Sequence, residues 1–185
     1  MAFRADPAAY LLRLGQMVVP PSSDQPDLTP DASAIAFVCH ATSCPPPNAW
    51  RGVLSLRGLA VIPGTAVATF TRERRYGCAD GTSNAGLALR IVLPNPHSDD
   101  WIEQAGYLDL LEQARHPVAI PIATAPTELH ALRTARGGRG YSVPYSPLQR
   151  RRLPFLRGQL RRGGRQFSLM DDADQYCVIE LAPRE

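Results

Sequence analysis

Lysine is absent from this 185-residue chain: all twenty basic residues are arginine. No Walker-type loop can be built without it, and no Gly-x-Gly-x-x-Gly follows a strand-like run, which disfavours nucleotide hydrolysis. Aromatics are few, thirteen in all, whereas prolines number eighteen and glycines fourteen. That balance predicts many short elements and argues against a helical bundle.

Long apolar runs are missing too. The longest uncharged stretch, Ala32 to Trp50, is interrupted by Pro45-Pro46-Pro47 and several polar residues, so it cannot span a bilayer. Asp6 and a broken apolar patch at the N-terminus do not make a secretory leader. The expectation is a cytoplasmic protein, or a virion component if phage-encoded, with no membrane partner. Cys39, Cys44, Cys78 and Cys177 show no paired Cys-x-x-Cys pattern, and reduced thiols are expected.

One further absence is local. Between Leu129 and Met170 there are ten arginines and no acidic residue, whereas the rest of the chain carries ten arginines against seventeen acids. The formal net charge of +3 therefore hides a polarised molecule.

What is present predicts one α+β domain over residues 1–185, with a largely antiparallel sheet of about seven short strands. Asp6-Pro7 should cap a helix over Ala8 to Leu14, ended by Gly15. Residues 16–31 read as an extended linker. Ala34 to Cys39 has strand length, and Val53 to Ile62 with Thr65 to Arg72 suggests a hairpin about Pro63-Gly64. Leu87 to Leu93, almost wholly apolar, reads as a central strand. Ser98 and the acids behind it predict the clearest helix, 99–115, with Trp101, Ala105, Leu108 and Leu111 as its apolar stripe. Pro117 to Ala125 should be an edge strand. Short Arg-rich helices are expected near 127–136 and 147–162, and Gln166 to Met170 with Gln175 to Leu181 should close a hairpin.

Guanidinium groups bind phosphate oxygens bidentately, so the arginine segment points to a nucleic-acid backbone. The expected contacts are Arg133, Arg136, Arg139, Arg150, Arg151, Arg152, Arg157, Arg161, Arg162 and Arg165. Tyr141 and Tyr145, with Phe155, would stack unpaired bases. The leading expectation is a non-enzymatic subunit that binds single-stranded RNA or DNA within a ribonucleoprotein or phage-type assembly. The alternative is a structural subunit whose arginine segment and Pro-rich arm dock on acidic protein surfaces.

Ser146-Pro147-Leu148-Gln149-Arg150-Arg151-Arg152, then Leu153-Pro154-Phe155-Leu156 and Gly164-Arg165-Gln166-Phe167-Ser168-Leu169, resembles the C-terminal half of compact CRISPR repeat-RNA endonucleases, where an arginine-rich helix precedes a strand. The resemblance covers about a fifth of the chain and includes no catalytic residue. It implies RNA processing as a third alternative.

Other chemistry has weaker patterns. Cys39, His40 and Cys44 form half of a zinc-type cluster that Cys78 or His97 could complete, yet two close ligand pairs are lacking and no metal or other cofactor is expected. Cys39 or Ser43 beside His40, His97 or His116 offers a nucleophile and base without any Gly-x-Ser-x-Gly context, so no catalytic residue is assigned. Asp99, Asp100 and Glu103, and Asp171, Asp172 and Asp174, read as helix capping and a solvated turn.

Overall fold

The computed structural model describes residues 2–19, 32–76, 83–113, 118–120, 143–159, 161–162 and 165–181. Its frame is a six-stranded antiparallel sheet in the order β1-β10-β2-β3-β4-β7. The strands are β1 (Trp50–Ser55), β2 (Thr65–Thr69), β3 (Ala85–Val92), β4 (Tyr107–Gln113), β7 (Leu148–Pro154) and β10 (Tyr176–Leu181). Two small hairpins, β5 (Val118–Ile120) with β6 (Val143–Tyr145) and β8 (Arg161–Arg162) with β9 (Arg165–Gln166), stand outside it. Three helices complete the description: α1 (Ala8–Leu11), α2 (Ala32–Thr42) and α3 (Trp101–Ala105). The expected α+β class with a largely antiparallel sheet is therefore observed.

Helix α2 covers one face. Ala34, Phe37 and Val38 are fully buried, Phe37 and Val38 in one cluster with Trp50, Leu87, Leu111, Leu148 and Ile179. Their i, i+3, i+4 spacing is helical, which is why this run, expected as a strand, packs as a helix once a sheet lies beneath it. The opposite face is filled by Leu56, Val67, Leu108, Leu110, Leu153, Phe155 and Tyr176.

The expected helix 99–115 is shorter and different. Asp100 caps α3 by accepting from the Ile102 N–H at 2.9 Å, but Gly106 takes φ +71° and turns the chain. A Cβ there would lie 2.8 Å from the Val92 carbonyl oxygen, so the turn requires glycine. Beyond it Tyr107 to Gln113 is buried on both faces as β4. The helical stripe was a coincidence of spacing in a strand rich in leucine.

Arginine-rich helices near 147–162 are likewise corrected: Leu148–Pro154 is strand β7, in register with β4 so that Arg150, Arg151 and Arg152 face Leu111, Leu110 and Asp109. The helix expected at 127–136 lies outside the described residues. Neither predicted long hairpin forms. Pro63-Gly64 does turn, with Gly64 at φ +85°, but β10 inserts between β1 and β2 and pairs with both. Gln166 belongs to β9, and Leu169–Asp171 and Ala173–Gln175 are 3-10 turns leading into β10. The apolar strand expected at Leu87 to Leu93 is β3, third from one edge and inside the sheet. The first helix is one turn, Ala8–Leu11, with Asp6 Oδ1 accepting from the Ala8 N–H at 3.0 Å.

The start of the expected linker is a strap. Gln113, on β4, accepts from the Val18 and Val19 N–H groups at 3.1 and 3.0 Å and donates to the Val19 carbonyl at 2.9 Å. Ser33 on α2 reaches Ser146 at 3.0 Å, tying the helix to the chain entering β7.

Candidate functional site: a thiol pair and a neutralised arginine row

Side chains alternate along a strand, so Asp109 and Arg150 share the α2 face while Glu112 and Arg151 share the other. Asp109 is fully buried and accepts from Arg150 through both oxygens, at 2.7 and 2.5 Å, and from Arg90 at 3.1 Å. The bidentate bond and the carboxylate charge hold the Arg150 guanidinium above its ordinary pKa. On the other face Glu112, also fully buried, accepts from Asn84 at 2.5 Å, Gln149 at 2.9 Å and Arg151 at 2.9 Å. Burial works against the charge of Arg151. The Glu112 and Asp171 carboxylates outweigh it and keep the pKa raised. Arg151 reaches Asp171 at 2.5 Å, and Arg152 reaches Asp100 at 3.0 Å while lying over the Tyr107 ring.

The three arginines read as phosphate ligands are thus matched by carboxylates of the same sheet. Arg157 is exposed at φ +53°, and its backbone N–H donates to Asp174 at 2.8 Å. Arg161 and Arg162 on β8 and Arg165 on β9 form the two strands of a small hairpin. Tyr145 ends β6. Arg133, Arg136, Arg139 and Tyr141 lie outside the described residues. Phe155, named as a stacking face, is buried under the Arg57 guanidinium, 5.6 Å from the ring centre.

A different chemistry is built where α2 meets β1. The Thr42 hydroxyl donates back to the Val38 carbonyl at 2.8 Å in the last turn, and Ser43 then takes a left-handed φ of +55°. This reversal brings Cys44 under the end of the helix, its Sγ 3.8 Å from Cys39 Sγ. Three consecutive prolines follow, and the Pro45 carbonyl accepts from the Trp50 indole N–H at 2.7 Å and from the Cys39 thiol at 3.6 Å. Trp50 is fully buried and meets Tyr76 edge to face at 4.9 Å, so the corner is held by packing as well as by proline stiffness.

The two thiols are polarised in opposite directions. Cys44 is lowered to about 7, first because the Cys39 thiol hydrogen-bonds its charged form. Burial opposes that shift, while the Thr42 hydroxyl, the residue's own N–H and the Trp50 indole support it. The C-terminal end of α2 disfavours an anion through its dipole, so the helix does not account for the shift; the neighbouring Cys39 thiol is its largest cause. Cys39 is pushed upward by the same hydrogen bond and by burial, and stays protonated. Cys177, half-buried on β10, is raised by burial. Cys44 is therefore a buried thiol that ionises near neutral pH, the condition for a sulfur nucleophile.

The sequence brought Cys39, His40 and Cys44 to notice as half of a metal cluster, and Cys39 or Ser43 as a nucleophile; it missed Cys44 in that role. Read as a strand, Ala34 to Cys39 points away from the following loop; as a helix with a left-handed end, it returns Cys44 to Cys39. His40 is exposed on the last turn of α2, and His97 is exposed beyond β3, its backbone N–H donating to Asn95 Oδ1. His116 and Cys78 lie outside the described residues. Among the described residues no three metal-ligating side chains gather, and no helix is long and apolar enough to cross a membrane.

No protein-family model and no curated protein matches the chain. Among solved structures, type 6 secretion amidase effector 2 (Tae2) is similar in fold, with a TM-score of 0.54 over 97% of this chain and 95% of that one, at 15% identity. The expectation of a non-enzymatic, RNA- or DNA-binding subunit is overturned by this finding: the architecture is one that an amidase effector uses. The ion pairs of Arg150, Arg151 and Arg152 supply the physical reason, because guanidinium groups already bound to carboxylates are not free to clamp a phosphodiester. The CRISPR-type endonuclease alternative falls as well, since its arginine-rich helix is strand β7.

Proposed function

We propose that this chain hydrolyses amide bonds, with the Cys44 thiolate as nucleophile. The observation that carries the reading is the close approach of Cys44 to Cys39, 3.8 Å between the sulfurs in a buried corner, where the Cys44 thiol is lowered to about 7. The fold similarity to an amidase effector along nearly the whole chain supports it. In this scheme the thiolate attacks the amide carbonyl and forms a tetrahedral oxyanion; collapse expels the amine and leaves a thioester, which water then hydrolyses. Cys39 is a positioning residue, because its thiol stays protonated and lies 3.8 Å from the Cys44 sulfur. His40, the imidazole nearest in sequence, is the candidate proton donor to the leaving amine.

The test is release of new amino groups from peptidoglycan sacculi, and from an unrelated protein as a specificity control, by wild type, Cys44→Ala, Cys39→Ala and His40→Ala. Cleavage by wild type that Cys44→Ala abolishes, with circular dichroism unchanged, supports the proposal. Cys39→Ala should move the pH profile upward, a readout that a purely structural role would not shift. Undiminished cleavage by Cys44→Ala, or no cleavage of any amide by wild type, overturns it.

A further inference from the structure

We infer that Cys39 and Cys44 form a reversible redox-modification site, closing to a disulfide that switches the corner off. The site rests on placement. The sulfurs already touch at 3.8 Å, and the Ser43 reversal presents them to one another across a single turn. Trp50, fully buried, donates to the Pro45 carbonyl next to Cys44 and so ties the proline run to this corner. Cys177 is on β10, and among the described residues it is the only other cysteine.

The oxidant is a small or protein disulfide, of which oxidised glutathione is the simplest. The Cys44 thiolate attacks one sulfur of that disulfide, forming a mixed disulfide and releasing one glutathione thiolate. Cys39 then gives up its proton, attacks Cys44 Sγ and displaces the second glutathione. Two protein thiols become one disulfide, two electrons pass to the oxidant, and the two released protons leave with two molecules of reduced glutathione. A dithiol reductant reverses the sequence. The consequence for catalysis rests on the amide-hydrolase reading, because a Cys44 sulfur held in a disulfide is no nucleophile; formation of the bond does not depend on it.

The chain makes the test direct. With cleavage after arginine, both cysteines fall in one peptide, residues 14–51, while Cys78 and Cys177 fall in two others. Full-length protein is equilibrated with oxidised glutathione, alkylated with iodoacetamide under denaturing conditions, digested and weighed. We expect residues 14–51 to refuse both alkyl groups and to weigh two hydrogens less than the reduced peptide, with full alkylation restored by dithiothreitol. The closed six-residue loop should raise the melting temperature by about 5 °C. Cys39→Ser should stop at a glutathione adduct on Cys44, and Cys177→Ser should behave as wild type. The inference is overturned if the peptide stays doubly alkylated, if wild type stops at a glutathione adduct, or if Cys44 pairs with Cys78 or Cys177. Amidase activity measured on the same samples should fall on closure and return on reduction. If wild type cleaves no amide under any condition, the catalytic reading fails while the mass shift still decides the redox site.

Discussion

Asp109 and Glu112 on β4 are fully buried, Asp109 between Arg90 and Arg150 and Glu112 among Arg151 and the neutral amides of Asn84 and Gln149, so each meets at least one matching positive charge. At the corner of α2 and β1, Cys44 is also buried, yet the polar groups beside it are neutral, the Cys39 thiol first among them. The first arrangement cancels charge permanently and gives the sheet its register. The second leaves a sulfur poised between protonated and charged forms, which is what reaction requires. High charge density therefore marks the wrong part of this molecule. The place with chemistry to spare is the one where nothing ionic has been settled in advance.

The largest expected effect breaks the thiol corner. Cys44→Ala should lower amide cleavage by about 10³-fold or more, measured as initial rate on sacculi, because loss of a covalent nucleophile leaves only binding and oxyanion stabilisation. Next comes the arginine row. Asp109→Ala strips the shared carboxylate from Arg90 and Arg150, and should cost about 2–4 kcal/mol in urea unfolding, less than a wholly buried pair because both guanidinium groups keep contact with water. Gly106→Ala should cost about 2 kcal/mol in the same measurement, since its left-handed turn and the approach of the Val92 carbonyl leave no room for a Cβ.

The comparison is sharpened by pH. Because Cys44 ionises at about 7, its alkylation by iodoacetamide should level off above that pH and fall about tenfold per unit below it, whereas Cys177, raised by burial, should react only at higher pH. The linkage has a definite sign. A thiol whose folded pKa is lowered contributes stability above its unfolded pKa of about 8.5, and that contribution is lost as pH falls through about 7. The smallest effect belongs to the outer arginine. Arg152→Ala breaks a half-exposed pair with Asp100 and should change stability by under about 1 kcal/mol, checked by the urea midpoint.

Several elements were legible in advance for identifiable reasons. β3 could be read because a run that is apolar but for Arg90 suits a strand covered on both sides. The Pro63-Gly64 turn could be read because its glycine must adopt a positive φ. The predicted pairings were not, because turn chemistry is local and β10 arrives from more than a hundred residues away to sit between β1 and β2. α2 and β4 exchanged identities for a related reason: both are short runs buried by tertiary contacts, where apolar spacing alone cannot separate a buried helix from a buried strand. The thiol site depends on that exchange, since only a helical Cys39 followed by the Ser43 reversal faces Cys44.

By itself the sequence determined the α+β class, the fragmentation into short elements, the turn glycines and the concentration of arginine in one segment, because composition, apolar patterning and backbone preference are local properties. The tertiary structure alone decided which charges cancel and which sulfurs touch. Asp109 neutralises Arg150 across the 41 residues that separate them, and the Cys44 thiol is lowered because the turn after α2 folds it back to 3.8 Å from Cys39. Electrostatic free energy falls off with distance in space and takes no account of distance along the chain.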